Sequence, residues 1–105
     1  MIKQMKYHVK YKDITMLGGS LHFLPLRIID KGGRLPELSS SKFYEDKIIS
    51  GEPINPIAVQ RVSESVFPKG ILYRVVDGFH RYSALEKLGI KSVKVEIVGK
   101  LASDI

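Results

Sequence analysis

The sequence predicts a small α+β domain, a mixed β-sheet with helices packed on it. Several short segments alternate apolar and polar residues, which is typical of strands. Two other segments space their apolar residues at helical intervals. The chain has 105 residues, the length of one domain. Residues 1–105 are therefore expected to form a single domain.

The N-terminal segments are predicted to form two strands. Over residues 6–12, tyrosine and valine alternate with lysine and histidine, a pattern that indicates a half-buried strand. Residues 21–29 form a second apolar stretch, which Pro25 interrupts. Because proline cannot donate a hydrogen bond to a neighbouring strand, Pro25 favours a position at the edge of the sheet.

The middle of the chain is predicted to form a polar loop followed by a helix. The loop covers residues 30–41, and the helix covers residues 42–50. On that helix Phe43, Ile48 and Ile49 can share one apolar face. A glycine follows at the position where a helix commonly ends.

The last part is predicted to contain a hairpin, a second helix and a closing strand. Residues 57–62 and 71–76 form the hairpin, and its second strand is expected to be central because it is the most continuously apolar. The helix covers residues 80–88, with Ser83 facing outward. Residues 93–97 alternate again and form the last strand.

Composition and charge narrow the class of partner. The chain has 17 lysines and arginines against 11 acidic residues, a net charge of +6, so anionic partners are favoured. The absence of cysteine excludes disulfides, thiolate zinc sites and thiol nucleophiles. No apolar run is long enough to span a membrane and no signal peptide is visible, so a cytoplasmic location is expected.

The chemistry is expected at the turn between the hairpin and the second helix. Gly78 can adopt a left-handed conformation and lets a ligand approach the backbone. The first N–H groups of the helix have no partners within it, and the helix dipole adds positive charge there. His80 and Arg81 would oppose that dipole, so two cations at this point favour a bound phosphate between them.

Several side chains at this turn have more than one interpretation. Asp77 could cap the helix, hold Arg81, contact Mg²⁺ on a phosphate or act as a base. Phe79 could pack in the core or contact a nucleobase, and Tyr82 could likewise stack on a base or simply pack. The alternative without a ligand is an ordinary turn with a helix cap.

The turn and its helix resemble the ParB/sulfiredoxin superfamily, whose members carry a strand, a glycine-containing turn, His-Arg or Arg-Arg, and a helix ending in Leu-Gly. Residues 24–26, 55–59 and 93–98 resemble flanking parts of these domains, so the resemblance covers residues 21–98. It implies nucleotide binding, with ATP or ADP and Mg²⁺ as cofactors. The nucleotide-binding residues would be Gly78, Phe79, His80, Arg81 and Tyr82, with Asp77 on the metal.

The branches of this superfamily imply different activities. Sulfiredoxins carry Gly-Cys-His-Arg, which Gly78, His80 and Arg81 match, but Phe79 occupies the cysteine position and excludes sulfinic-acid repair. ParB proteins carry Gly-Glu-Arg-Arg and bind CTP. Free serine kinases carry an Asp-Gly-His-His-Arg type of turn, which this sequence, with Asp77, matches best.

Likeness to the kinase branch implies an enzyme that transfers phosphate or hydrolyses ATP. Its catalytic residues would be Asp77 and His80, together with Glu37 in the upstream polar loop as a base. A nucleotide-binding interaction module without turnover is the alternative to an enzyme.

A DNA-binding protein or nuclease of the ParB type is a further alternative. Four lysines precede the first acidic residue and could contact a phosphate backbone. They are Lys3, Lys6, Lys10 and Lys12. The competing interpretation is a solvated strand face with no partner.

Overall fold

A computed structural model of the chain describes residues 7–32, 37–63 and 67–99. It has one five-stranded mixed sheet and two α-helices, which confirms the predicted α+β class. The elements are β1 (Ser20–Pro25), a 3₁₀ turn (Leu26–Ile28), β2 (Ile29–Asp30), α1 (Leu38–Ile49), β3 (Ile57–Arg61), β4 (Tyr73–Asp77), α2 (Phe79–Lys87) and β5 (Ser92–Ile97).

The strands lie in the order β1-β5-β3-β4-β2. The β1–β5 and β3–β4 pairs are antiparallel, whereas β3–β5 and β2–β4 are parallel. The prediction that residues 71–76 form the central strand is therefore wrong, because β3 holds that place. Ile57, Ala58 and Val59 of β3 are all buried, while β4 borders only the two-residue β2 on its outer side.

One apolar run supplies both edges of the sheet. Residues 21–29 were predicted to be a single strand, but Pro25 ends β1 and the 3₁₀ turn redirects the chain into β2. Leu26 donates its N–H to the Lys91 carbonyl (2.8 Å), and Leu72 donates to Ile28 (2.9 Å). The first bond attaches the start of the turn next to β5, and the second attaches the end of the turn next to β4. The edge position predicted from the proline is confirmed.

The predicted strand over residues 6–12 is wrong for the part that the structure describes. Only Tyr11 forms a bridge, to Ile54, with flanking backbone bonds of 2.9 Å. Pro53 and Pro56 stand on either side of Ile54 and have no N–H with which a ladder could continue. The pairing is therefore confined to a single residue.

Helix α1 begins earlier than predicted, at Leu38, and it buries a different face. Ile48 is buried as expected, but Phe43 and Ile49 are exposed. The side chains that turn inward with Ile48 are Ser41 and Glu45. The apolar pattern failed here because α1 packs partly through polar groups.

Helix α2 packs between α1 and the sheet. Ala84 and Leu85 are fully buried in the core. Ser83 is buried as well, which corrects the expectation that it faces outward, because it lines a small cavity between the helices with Ser41 of α1. Within residues 7–32, 37–63 and 67–99, no helix is long and apolar enough to cross a membrane.

A buried carboxylate holds the segment before β1 against the sheet. Glu96 of β5 is only 1% exposed and accepts N–H bonds from Met16 (2.7 Å), Leu17 (2.8 Å) and Gly19 (2.8 Å). Burial by itself raises the pKa of Glu96, but these three donors outweigh it and hold the pKa below its ordinary value. Gly19 fits because a Cβ there would collide with the Ile97 carbonyl oxygen.

Candidate functional site

A cleft of about 470 Å³ opens where β4 ends and α2 begins. Residues 74–81 form one wall, and residues 30–32, which follow from β2, form another. Tyr44 of α1 and Phe67 complete the lining. The cleft brings together every residue of the turn that the sequence singled out except Tyr82. It lies at the β4–β2 side of the sheet, away from β1.

The turn at Gly78 has the predicted left-handed backbone. Gly78 has φ 96° and ψ 30° and is the N-cap residue of α2, with no side-chain cap bond. Asp77 is therefore not the helix cap. The N–H of Tyr82 donates to the Gly78 carbonyl (2.8 Å). The N–H groups of His80 and Arg81 come before this bond in the chain and have no acceptor within the helix. Helix α2 therefore presents them as donors at the cleft.

The Arg81 side chain folds back beneath this turn. It is only 9% exposed, and its Nη2 lies 3.6 Å from Oδ2 of Asp77, which is 60% exposed. A Cβ built on Gly78 would lie 2.6 Å from Nη2. The guanidinium thus occupies the space that a side chain at position 78 would need. Its charge is shielded from water on most sides, which strengthens its attraction for an anion in the cleft.

His80 lies between the cleft and a smaller neighbouring pocket. Its side chain is half-buried, and its ring meets the Phe79 ring edge-on at 5.6 Å. His80 lines the cleft and also a pocket of about 320 Å³ beside Ser39 and Ser40 of α1. Phe79 is itself buried, which agrees with the packing interpretation of that ring.

Tyr82 points away from the cleft and joins α2 to β2. It is buried, and its hydroxyl donates to the Ile29 carbonyl oxygen at 3.1 Å. Burial is the main cause that raises the pKa of Tyr82 to about 12, and the negative charges of Glu86 and Asp30 add to it. The ring therefore supports the wall of the cleft from behind.

Removing that hydroxyl is expected to cost about 1 kcal/mol of stability, because Tyr82→Phe leaves a buried carbonyl without its donor. Urea unfolding of the variant measures this loss. Tyr73→Phe is the matched control, since no hydrogen bond is found for that hydroxyl within the described residues, and it should change stability by less than about 0.5 kcal/mol. Equal losses in the two variants would show that the Tyr82 bond contributes nothing.

Glu37 lies next to the smaller pocket rather than in the cleft. It is exposed, it immediately precedes α1, and its Oε2 accepts a hydrogen bond from Ser40 Oγ (3.2 Å). Among the described residues there is no cluster of three metal-ligating side chains. Of the other described residues that line the cleft, one carries a carboxylate, Asp30.

Part of the cleft is formed by residues that the sequence did not predict to lie there. Lys31 and Arg74 line it, although the sequence alone shows them only as contributors to the net positive charge. Asp30 and Tyr44 were not singled out at all. Nothing local marks these residues, because they reach the cleft through the β2–β4 pairing and the packing of α1. Of the four N-terminal lysines, Lys10 and Lys12 are exposed, and Lys3 and Lys6 fall outside the described residues.

Comparison with known proteins finds the same fold in solved structures. No protein-family model and no curated protein matches the chain. The sulfiredoxin of Arabidopsis thaliana is 26% identical, with a TM-score of 0.59 over 81% of this chain and 91% of that one. A free serine kinase in complex with ADP is 26% identical, with a TM-score of 0.60 over 91% of this chain and 36% of that one.

ParB from Caulobacter crescentus, in complex with CTP-γ-S, is 21% identical, with a TM-score of 0.60 over 76% of this chain and 44% of that one. This chain thus spans most of the sulfiredoxin but less than half of ParB and of the kinase. All three neighbours share the fold that the resemblance of the turn and its helix predicted. The chain has the fold of the ParB/sulfiredoxin superfamily.

Proposed function

We propose that this domain binds ATP or ADP, with the phosphates against the first turn of α2. The observation that carries the proposal is the Arg81 guanidinium, held behind a left-handed glycine and facing a cleft into which α2 also presents its first N–H groups. A helix N-terminus with a bidentate cation beside it suits phosphate oxygens. Two structural neighbours, ParB and the kinase, were solved with nucleotides bound.

The charges along the cleft also support a nucleotide diphosphate or triphosphate. Lys31, Arg74 and Arg81 supply three cations, against the carboxylates of Asp30 and Asp77. Cations on opposite walls can neutralise phosphates that lie between them. The two carboxylates would be unfavourable next to bare phosphates, and a divalent cation between carboxylate and phosphate removes that repulsion.

The residues present fit a Mg²⁺ ion that arrives with the nucleotide. Mg²⁺ is usually held by one or two carboxylates together with substrate phosphates, not by a full protein cage. Asp77, largely exposed at the cleft, is the proposed ligand, and Asp30 on the other wall is the second carboxylate within the cleft. The ion would neutralise charge on the transferring phosphate.

For the chemical step we propose phosphoryl transfer or hydrolysis. Arg81 would stabilise negative charge that develops on the phosphate oxygens, and the α2 N–H groups would orient them. His80 faces both the cleft and the smaller pocket, so it can accept a proton from a hydroxyl or water that enters there. Glu37, one turn before Ser40 of that pocket, is the second candidate base.

Calorimetric titration of the chain with ADP, ATP and CTP, with and without Mg²⁺, tests the binding proposal. We expect Mg²⁺–ADP or Mg²⁺–ATP to bind, and Arg81→Lys to weaken the affinity by about tenfold or more, since lysine cannot make the bidentate contact. Asp77→Asn should reduce the gain from Mg²⁺. Arg27→Lys is the matched control, because Arg27 is exposed and does not line the cleft.

The absence of heat with every nucleotide, or equal affinities for wild type and Arg81→Lys, would refute the site. Circular dichroism and the unfolding midpoint show whether each variant is folded. Phosphate release, followed with ATP, tests the chemical step separately. Binding without release above background excludes hydrolysis, and it leaves the binding site and transfer to an acceptor hydroxyl in place.

A further inference from the structure

The β1 edge of the sheet carries an exposed apolar surface remote from the cleft. Four large apolar side chains there are 44–64% exposed, namely Ile14, Met16, Leu17 and Phe23. We call them the edge patch. Single exposed apolar residues are common on proteins, but a group of four at one edge marks an interaction surface.

The residues that carry these side chains come to the same part of the sheet because the segment before β1 is attached to β5. Asp13 pairs with Lys94 at 3.1 Å, and the Glu96 carboxylate accepts the N–H groups of residues 16 and 17. Lys94 and Glu96 are on the same face of β5, about 7 Å apart. Phe23 stands directly opposite Lys94 in the β1–β5 register. The edge patch thus extends over both attachment points.

The backbone of β1 is open to pairing on its outer side. β1 is the last strand of the sheet, and in the described residues no other strand follows it. Its six residues span about 20 Å, and alternate residues turn their N–H and C=O groups outward. Sheet edges are usually protected by charges, proline or a bulge. In β1, Pro25 protects only the last residue of the strand, and the middle of the strand carries the exposed apolar residue Phe23.

The charges around the edge patch indicate the charge that a partner should carry. Tyr11 contacts Phe23 ring to ring at 6.1 Å, and the lysines on either side of it, Lys10 and Lys12, are exposed with no carboxylate partner among the described residues. The nearby acid, Asp13, is already engaged by Lys94. A second copy of this chain, with net charge +6, would bring lysine against lysine. The surface is therefore complementary to an acidic partner.

We propose that β1 accepts an extended segment of a partner protein in which apolar and acidic residues alternate. The segment adds to the sheet as a sixth strand through backbone hydrogen bonds, which is a common mode of peptide recognition. Its apolar side chains cover the edge patch, and its net negative charge is complementary to the exposed Lys10 and Lys12. The cleft begins at β4, three strand spacings or about 14 Å away, so a nucleotide and the segment can be bound together.

A synthetic peptide tests the proposal on the whole chain. The probe is a capped ten-residue peptide that alternates glutamate with valine and carries one central phenylalanine. Amide chemical shifts of the isotope-labelled chain are followed during titration. We expect shifts confined to residues 10–24 and a Kd that rises steeply with salt, because rim charges contribute to binding. Phe23→Ser should weaken binding by about tenfold or more.

The controls distinguish strand addition at β1 from other ways in which the peptide could bind. Phe43→Ser removes an equally exposed phenylalanine from α1 and should leave the affinity unchanged. The same peptide with lysine for glutamate, or with alternate amides N-methylated, should not bind. Overturning results are equal binding of the lysine peptide, shifts mapped elsewhere, or no shifts at all. Binding of duplex DNA at this edge, or a dimer in sedimentation that Phe23→Ser abolishes, would assign it to another partner instead.

Discussion

Replacing Glu96 by glutamine is expected to lower the free energy of unfolding by about 3 kcal/mol at neutral pH, because hydrogen bonds to a buried charge are worth about 1.5–3 kcal/mol each. The carboxylate satisfies three backbone donors at once. A glutamine amide offers one oxygen and turns an NH₂ group toward a remaining donor. Since a domain of this kind is stable by only about 5–15 kcal/mol, urea unfolding should show a large shift.

Glu52→Gln is the control for this variant. Glu52 is exposed, and within the described residues its side chain accepts a single hydrogen bond, from Ser50 Oγ. The unfolding curve of Glu52→Gln should therefore overlay the wild type within about 0.5 kcal/mol. If Glu96→Gln behaves like Glu52→Gln, the attachment of residues 16–19 to β5 does not stabilise the fold.

The pH dependence of the Glu96 effect has a defined sign. The pKa of Glu96 in the fold lies below its ordinary value of 4.5, so folding favours the ionised form. The stability that it contributes is complete above pH 4.5 and is lost as the pH falls below that value, toward the lowered pKa of the folded chain. The difference in unfolding free energy between wild type and Glu96→Gln should therefore shrink on acidification.

Gly78→Ala is expected to abolish most of the nucleotide binding while lowering stability only moderately. A non-glycine residue in the left-handed conformation costs about 1–2 kcal/mol. The new Cβ would also lie 2.6 Å from Nη2 and 2.9 Å from Nε of Arg81. The buried guanidinium must move, and loss of its charge-assisted contacts should weaken ADP binding by about 10–100-fold.

Gly89→Ala separates backbone strain from displacement of the arginine. Gly89 has φ +76°, comparable to Gly78, but nothing lies within 4 Å of a Cβ there. Its alanine variant should lose a similar amount of stability and keep the wild-type affinity for ADP in calorimetry. If both variants bind ADP equally well, Arg81 is not part of the site.

The candidate site was predictable where its determinants are adjacent in sequence. The positive-φ glycine, the helix that starts directly after it and the pair His80 and Arg81 in its first turn all fall within residues 77–81. Local chemistry decides such a turn, so one sequence is enough. The opposite wall, residues 30–32, reaches the cleft only because β2 pairs with β4. That pairing depends on contacts 44 residues apart (Ile29 with Tyr73).

The fold class was predictable from periodicity, but burial was misjudged where polar groups turn inward. Alternation placed Lys94 and Glu96 on the polar face of β5, and nothing in that pattern shows that residues 16–19 cover it. Ser83 on α2 was assigned to the outside for the same reason. Hydrophobic periodicity identifies which residues share a face. It does not show which distant segment of the chain packs over that face.

The bond from Tyr82 to the Ile29 carbonyl has a consequence for how ligand binding depends on pH. With a pKa of about 12, the phenol keeps its proton throughout the range in which most enzymes are assayed, so this connection between α2 and β2 does not change with acidity. Both walls of the cleft stay joined by this bond across that range. A change of nucleotide affinity with pH in that range would therefore not arise from loss of this bond.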